Sequence, residues 1–336
     1  MKIVITGVAG FLGSRLAEAF HGHEVVGVDN MSAGALENVP SYVDLWQADV
    51  RDMATLSSLC AGADVIYHCA AHPHEGLSVF SPFTVCSSVF EASVAVASVA
   101  CQAKAKRLVY CSSMSRYGDN HAPFTEDQIP DPQDPYAIAK VAAEQAIRSL
   151  CQTHGVEYVI AVPHNIVGRN QKYDDPFRNV CAIMANRMLR GQRPIVYGDG
   201  QQTRCFSDAR DVLESMVKMA YEPVAGQIFN VGPDEGTTTI ENMGRVLASI
   251  VGVQWQPLRL PDRPCEVKHA WCSSDKIRKT FDYRTQFTLE DALRDLVDDI
   301  KRKGPREFDY YLPVEIMNDQ TPKAWLQKAG DGTEHI

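Results

Sequence analysis

Residues 2–13, KIVITGVAGFLG, decide the fold. KIVIT is a short run of mostly β-branched apolar residues, the pattern of a strand buried on both faces in a parallel sheet. Gly7, Gly10 and Gly13 follow it, and FLGSRLAEAF then takes up helical spacing. In a strand–turn–helix unit of this kind, absent side chains permit the tight turn. They also let a pyrophosphate approach the backbone N–H groups near Phe11 and Leu12, and allow the helix to pack closely on the strand. Such glycines can also serve a plain βα connection. Asp29 favours the nucleotide reading, because it ends the second strand, HEVVGVD, about twenty residues further on. A carboxylate there accepts hydrogen bonds from the adenosine ribose hydroxyls and repels a 2′-phosphate, which selects NAD over NADP. Asp49, at the end of the third strand in QADVRD, is placed near the adenine.

Outward from this unit, apolar runs alternate with helical patterns: VDLWQADV, a helix from about Met53, DVIYHCA, a long Ala/Val/Ser helix, and RLVYCSS. That alternation predicts a doubly wound parallel α/β Rossmann sheet with helices on both faces. A helix begins near Tyr136 and leads to the strand VEYVIAV. The texture then changes at GRNQKYDDPFRNV, predicting a smaller, mostly C-terminal α/β substrate lobe. The helix ARDVLESMVKMAYE and strand QIFNVG look like a return to the first domain. The expected division is therefore 1–165 with about 209–232 for the dinucleotide domain, and about 166–208 with 233–304 for the lobe. An amphipathic helix is expected over Leu289–Arg302. Residues 305–336 form an extension without a legible role, and its end, GDGTEHI, is expected to be disordered.

The chain has 336 residues, 45% of them hydrophobic, enough for one large core or a nucleotide domain plus a lobe. A formal net charge of −9 without a long Lys/Arg run argues against nucleic acid, while leaving room for local arginines that bind phosphate. The ten cysteines sit mostly in apolar segments, as Cys69 and Cys101 do, and none shows zinc-type CxxC spacing. Reduced thiols and no metal are expected. No charged-then-apolar leader and no run of about eighteen apolar residues stand in the sequence, so the expectation is a cytoplasmic enzyme with no membrane partner.

The chemistry is carried by SSMSRYG and DPYAIAK. Tyr136 and Lys140 lie one helical turn apart, so the ammonium can lower the phenol pKa and reach the nicotinamide ribose. Ser113 follows an apolar strand, at the carboxyl end of the sheet where doubly wound folds bind ligands, and can bridge the tyrosine and a substrate oxygen. Together with the glycine turn these three residues describe an enzyme that moves a hydride to and from a nicotinamide cofactor. They argue against a non-catalytic nucleotide sensor.

With GVAGFLG, VDNMSAG, ADVRD, HCAA, SSMSRYG, YAIAK, PHN, YGDG, TRCFSD, FNVG and RPCEV in view, the chain resembles the extended short-chain dehydrogenase/reductases. Within them it is similar, from Met1 to about Arg302, to nucleotide-sugar epimerases and dehydratases of the UDP-glucose 4-epimerase type. The resemblance implies tightly bound NAD and a nucleotide-sugar substrate, UDP-linked. It extends the cofactor set to Asn30, Ser32, Gly34, Val50, Cys69, Ala70, Ala71 and His164, the last close to the nicotinamide. It places Asn165, Asn179 and Val180 on the sugar diphosphate, Tyr197 beside the base, Arg204 and Arg263 on the phosphates, and Glu266 on the nucleotide ribose. Arginine forks complement phosphate oxygens and a carboxylate complements a diol. It also implies a homodimer joined through the long Ala/Val/Ser helix and the Tyr136 helix.

Members of this family first oxidise a sugar hydroxyl, and differ in the fate of the keto sugar this makes. Related 4,6-dehydratases place an acid pair directly after the catalytic hydroxyl, where this chain has Met114 and Ser115; 3,5-epimerases place a cysteine where Ser115 stands. What remains is 4-epimerisation through a transient 4-keto sugar, with Tyr136 as acid and base. Dehydration, decarboxylation and net oxidation or reduction stay as alternatives, because the loop HPHEGLSVF puts His72, His74 and Glu75 beside the sugar pocket. Glu75 is expected to touch a sugar hydroxyl. Where relatives carry an asparagine near the start of the long helix, this chain has Ser88 and Val89, predicting a rearranged hydrogen bond. Whether the sugar is a hexose, an N-acetylhexosamine or a hexuronic acid is left open.

Overall fold

The computed structural model describes residues 1–326, so the expectation for GDGTEHI lies outside the described residues. Six strands follow the predicted order: β1 (Lys2–Thr6), β2 (Glu24–Asp29), β3 (Asp44–Gln47), β4 (Val65–His68), β5 (Arg107–Cys111) and β6 (Glu157–Pro163). With Ile228–Val231 beyond β6 they form a seven-stranded parallel sheet, whose spatial order is Ile228–Val231, β6, β5, β4, β1, β2, β3. The chain winds outward from β1 to β3, then crosses back to β4 on the other side of β1. That reversal leaves a crevice at the carboxyl ends of β1 and β4.

Strand alternation divides the core between the two faces of the sheet. Val4, Val28, Ile66, Leu108 and Ile160 pack with the long helix and with the helix Pro135–His154. Ile3, Ile5, Tyr67, Val109 and Val159 pack on the other side with Leu16, Phe20, Val212 and Met216. All of these are essentially buried. Each such aliphatic side chain contributes about 1.5–3 kcal/mol by leaving water, which is why the apolar strand runs dominate the fold.

The helix Pro82–Gln102 has a mean hydropathy of 1.6 and is long and apolar enough to cross a membrane, yet 56% of its apolar window is buried inside the protein. It packs between the helices Met53–Cys60 and Pro135–His154 as a core helix. Its turn Ser87–Glu91 is π-helical, and Ser88 Oγ there donates to Val85 O at 2.8 Å and accepts from His72 N at 3.2 Å. The serine thus ties the helix to the loop after β4, at the position where the sequence predicted a rearranged hydrogen bond.

A further core forms where Val180–Leu189, Ile240–Val251 and Leu289–Lys303 pack together around Val167 and Val196. The last of these helices opens on a Thr288/Asp291 capping box, with acidic residues in its first turn and basic ones in its last, as the helix dipole favours. Residues 305–326 fold back onto the loop after β4. Leu312 and Trp325 bury against Leu77, Phe80 and Phe177, and Glu315 accepts from Phe83 N at 2.9 Å and Thr84 N at 2.8 Å at the start of the long helix.

Candidate active site

A cavity of about 620 Å³ opens at the carboxyl ends of the strands. At one end lies the glycine turn. Gly7 has φ +72°, and a Cβ on it would stand 2.8 Å from Ala70 N; a Cβ on Gly13 would stand 2.1 Å from Gly7 O. Gly10 leads into the helix Phe11–Ala19, whose amino end has neither a side-chain cap nor an acidic residue in its first turn. Its N–H groups are free to meet an anion. Asp29 accepts from Ala9 N at 2.9 Å and Met31 N at 2.8 Å, so its carboxylate is fixed beside the turn although burial pushes its pKa up. Asn30, Ser32, Gly34, Val50, Cys69, Ala70 and Ala71 line the same end. Asp49 also lines it, gripped by Arg51 at 2.9 and 2.7 Å, and this charged bond brings its carboxyl down to about 2. A Cβ-free cradle, an uncapped helix start and a fixed carboxylate at the end of β2 fit a dinucleotide.

His164 is the one cofactor candidate that does not line the cavity. Its ring is wholly buried beside Gly232, where a Cβ would come within 3.0 Å of His164 Nδ1. Strand alternation at the end of β6 sends Pro163 and Asn165 to the cavity and His164 to the interior.

The residues expected to carry the chemistry, Ser113, Tyr136 and Lys140, line the same cavity. Asp134 caps the helix Pro135–His154 through Ala137 N at 3.0 Å, with Pro135 in the first turn. This start fixes Tyr136, with Lys140 one turn on. Lys140 Nζ donates to Cys111 O at 2.7 Å and lies 5.8 Å from the centre of the Tyr136 ring. Ser113 follows β5, and its hydroxyl accepts from Ser115 N at 3.2 Å. Ser112 points away, bonded to the buried Glu144. The Tyr136 phenol does not become acidic as the sequence suggested. Burial raises its pKa, and the opposing bond with Ser113 only offsets part of that rise. Burial lowers the pKa of Lys140 as well, because each charged form has lost water.

The other end gathers the predicted substrate residues. Arg263 stacks its guanidinium over the Tyr197 ring at 4.9 Å and pairs with Glu266 at 3.0 Å. Arg204 is braced by Val267 O at 2.7 Å, Thr203 O at 2.9 Å and Lys268 O at 3.1 Å. Asn165 donates to Cys205 O at 2.9 Å, and Asn179 caps the helix that begins at Val180 through Cys181 N at 3.0 Å. Both asparagines keep further hydrogen-bonding capacity toward the cavity they line. Glu75 reaches into the cavity, accessible to water yet walled by protein. Desolvation first, and then the nearby Asp134, push its carboxyl up to about 7 against the pull of Arg204 and Arg263.

The sequence set His74 beside the sugar pocket, but its partners Asp175 and Tyr311 escaped that reading. His74 Nε2 lies 2.8 Å from Asp175 Oδ2, and Tyr311 donates to that oxygen at 3.1 Å. Arg51, Arg178 and Tyr310 also line the cavity. Arg51 stood unremarked in QADVRD, and for Asp175, Arg178, Tyr310 and Tyr311 the only sequence signal was the density of charged and aromatic residues in KYDDPFRN and REFDYY, which carries no spacing rule.

The family model described as the NAD-dependent epimerase/dehydratase family matches residues 3–232. The chain belongs to this family. The UDP-glucose 4-epimerase of Mycolicibacterium smegmatis is 30% identical over 317 residues, covering 90% of this chain and all of the relative. Two solved structures agree with the fold of this epimerase/dehydratase family member. A UDP-glucose 4-epimerase of Thermotoga maritima with UDP-glucose superposes with a TM-score of 0.84 at 26% identity, over 90% of this chain and 99% of that one. The Thermus thermophilus UDP-glucose 4-epimerase in complex with NAD gives 0.83 at 26% identity over the same shares.

Proposed function

We infer that the protein is an NAD-dependent nucleotide-sugar 4-epimerase, acting on a UDP-linked sugar. The observation that carries this is one cavity that brings together three groups: the glycine cradle with Asp29, the set Ser113, Tyr136 and Lys140, and the set Arg204, Arg263, Tyr197 and Glu266. Gly7, Gly10, Gly13, Asp29 and Lys140 would hold NAD, which when bound supplies reversible two-electron oxidation at the sugar's fourth carbon. Tyr136, whose buried phenol needs Ser113 and the Lys140 ammonium to offset its desolvation and ionise, takes the proton of the C4 hydroxyl and gives it back after the ring has turned, while Ser113 holds the same oxygen. Arg204 and Arg263 hold the diphosphate, with Tyr197 and Glu266 on the nucleoside. Lys140 is anchored on Cys111 O and lies 5.8 Å from the centre of the tyrosine ring, where its ammonium would favour the phenolate.

Glu75 gives a second reading some footing. A cavity carboxyl titrating at about 7 could shuttle the proton that elimination or decarboxylation needs. Proton NMR of the protein with catalytic NAD and a panel of UDP-sugars, tracking the anomeric signals, separates the two. The C4 epimer without net reduced cofactor supports epimerase; an alkene, a lost carboxylate or accumulating reduced cofactor overturns it.

The same reading carries a homodimer. Phe83 is 77%, Ile138 53% and Phe90 38% exposed on the two helices proposed to join the subunits. A cytoplasmic location fits the ten unpaired cysteines.

A further inference from the structure

Each cation lining the cavity has a close partner, with one exception. Arg263 is held by Glu266 at 3.0 Å, Arg51 by Asp49 at 2.7 Å, Arg306 by Glu37 at 3.1 Å and Lys172 by Asp174 at 2.9 Å. Arg204 and Lys140 are held by backbone carbonyls at 2.7 Å, Arg187 by Arg193 O at 2.6 Å, and Lys303 by Asn38 at 2.8 Å. Arg178 has a single hydrogen bond, to Pro73 O at 3.4 Å, and no ion pair among the described residues. Asp175, the nearest acid in sequence, cannot serve it closely: one oxygen accepts from His74 and Tyr311 and the other from Phe177 N at 2.8 Å. A guanidinium carries five donors in a fixed fork. Those of Arg178 are left to the cavity.

The position of Arg178 says what kind of anion it awaits. Its hydrogen bond to Pro73 O sets it against the loop that carries His72, and its charge is felt by Tyr136 and His72 as well as by Asp175 and Tyr311, which places it at the reacting sugar. The diphosphate already has Arg204 and Arg263. His72 lines the cavity beside it with a buried ring nitrogen, Nδ1, that has no partner among the described residues. Burial, His74 and Arg178 bring His72 down to about 4, so it offers a hydrogen bond and not a second charge. With the C4 hydroxyl at Tyr136, the neighbouring ring carbons are C3, which bears a neutral hydroxyl, and C5, which bears C6. A negative charge beside C4 therefore belongs to C6.

We propose that the hexose turned over here is a uronic acid, its C6 carboxylate gripped by Arg178 with His72 beside it. The proposal rests on the epimerase reading above and narrows it to an acidic sugar. Arginine suits the task because its planar fork meets both carboxylate oxygens.

The test compares a UDP-hexuronate, the matching neutral UDP-hexose and UDP alone, by steady-state kinetics and by calorimetric binding to the NAD-loaded protein. The expected result is a kcat/KM for the uronate at least about tenfold above the hexose. Arg178→Met should raise the uronate KM about ten- to hundredfold, the range for one charged hydrogen-bonded contact, and Arg178→Lys should recover part of it. UDP alone should bind wild type and Arg178→Met within about twofold of each other. Preference for the neutral hexose overturns the proposal while leaving the epimerase standing. Equal weakening of UDP itself in Arg178→Met also overturns it, by assigning Arg178 to the diphosphate. If no sugar turns over, the epimerase reading falls, and the ratio of the two dissociation constants still decides whether the pocket is built for an acid. Circular dichroism of each variant checks that it has folded.

Discussion

At the dinucleotide end of the cavity, the bond from Ala9 N to Asp29 spans 20 positions of sequence, and the whole cradle comes from one strand–turn–helix–strand run. At the sugar end, His74 meets Asp175 across 101 positions and Tyr311 reaches Asp175 across 136. The first is made of backbone: absent side chains, free N–H groups and one carboxylate. The second is made of side chains on loops that the sheet and the helices around Val167 hold together from distant parts of the chain. A common cofactor can be held by a local, repeatable device, whereas a particular sugar needs side chains brought from several places.

Removing the Tyr136 oxygen should be the most damaging change, since both ends of the cavity serve it. Tyr136→Phe is expected to lower kcat by about 10²–10⁴-fold with NAD and UDP affinity kept; turnover close to wild type would break the assigned chemistry. Trp325→Ala tests the sugar-end wall. Trp325 is 4% exposed and packs edge-on against Phe80 and Phe177, so the variant should lose about 3 kcal/mol in urea unfolding and raise KM for the sugar nucleotide while leaving NAD content intact. If NAD is lost instead, the two ends are not separable. Gly13→Ala is the converse probe: with its Cβ 2.1 Å from Gly7 O, it should cost about 1–3 kcal/mol and reduce the NAD that copurifies.

The smallest expected effect is a pH dependence. Glu75 binds its proton more tightly folded, at about 7, than at its ordinary value of 4.5. Its contribution to stability is therefore whole below about 4.5 and lost as pH rises through about 7. Urea midpoints should fall further between pH 5 and pH 8 in the wild type than in Glu75→Gln; equal slopes would show that Glu75 ionises freely in its cavity.

Much of the cofactor end was legible from residue order alone, because each constraint there is short-range. KIVIT must be a strand, Gly7 must turn and Gly13 must let a helix approach. Tyr136 and Lys140 were placed by helical spacing, and Ser113 by its position just after a strand. His164 was misplaced because a one-residue difference in strand phase decides between cavity and core, and the chain bends just there: Asn165 has φ +32°. The acidity of Tyr136 was misjudged because spacing gives the neighbour, Lys140, but not the loss of water around the phenol. Residues 305–326 were illegible because their apolar side chains have no period of their own and answer to Leu77, Phe80 and Phe177.

By itself, then, the sequence determined the parallel sheet, the glycine cradle, the carboxylate at the end of β2 and the Ser113–Tyr136–Lys140 set, since these rest on steric and hydrogen-bonding rules that act over a few residues. Only the tertiary structure decided that Arg178 has no close partner among the described residues, that Asp175 is taken by His74 and Tyr311, and that Glu75 holds a proton near neutrality. Charge pairing and desolvation depend on which distant groups come within a few ångströms and on how much water they displace, and neither is set until the chain has closed on itself.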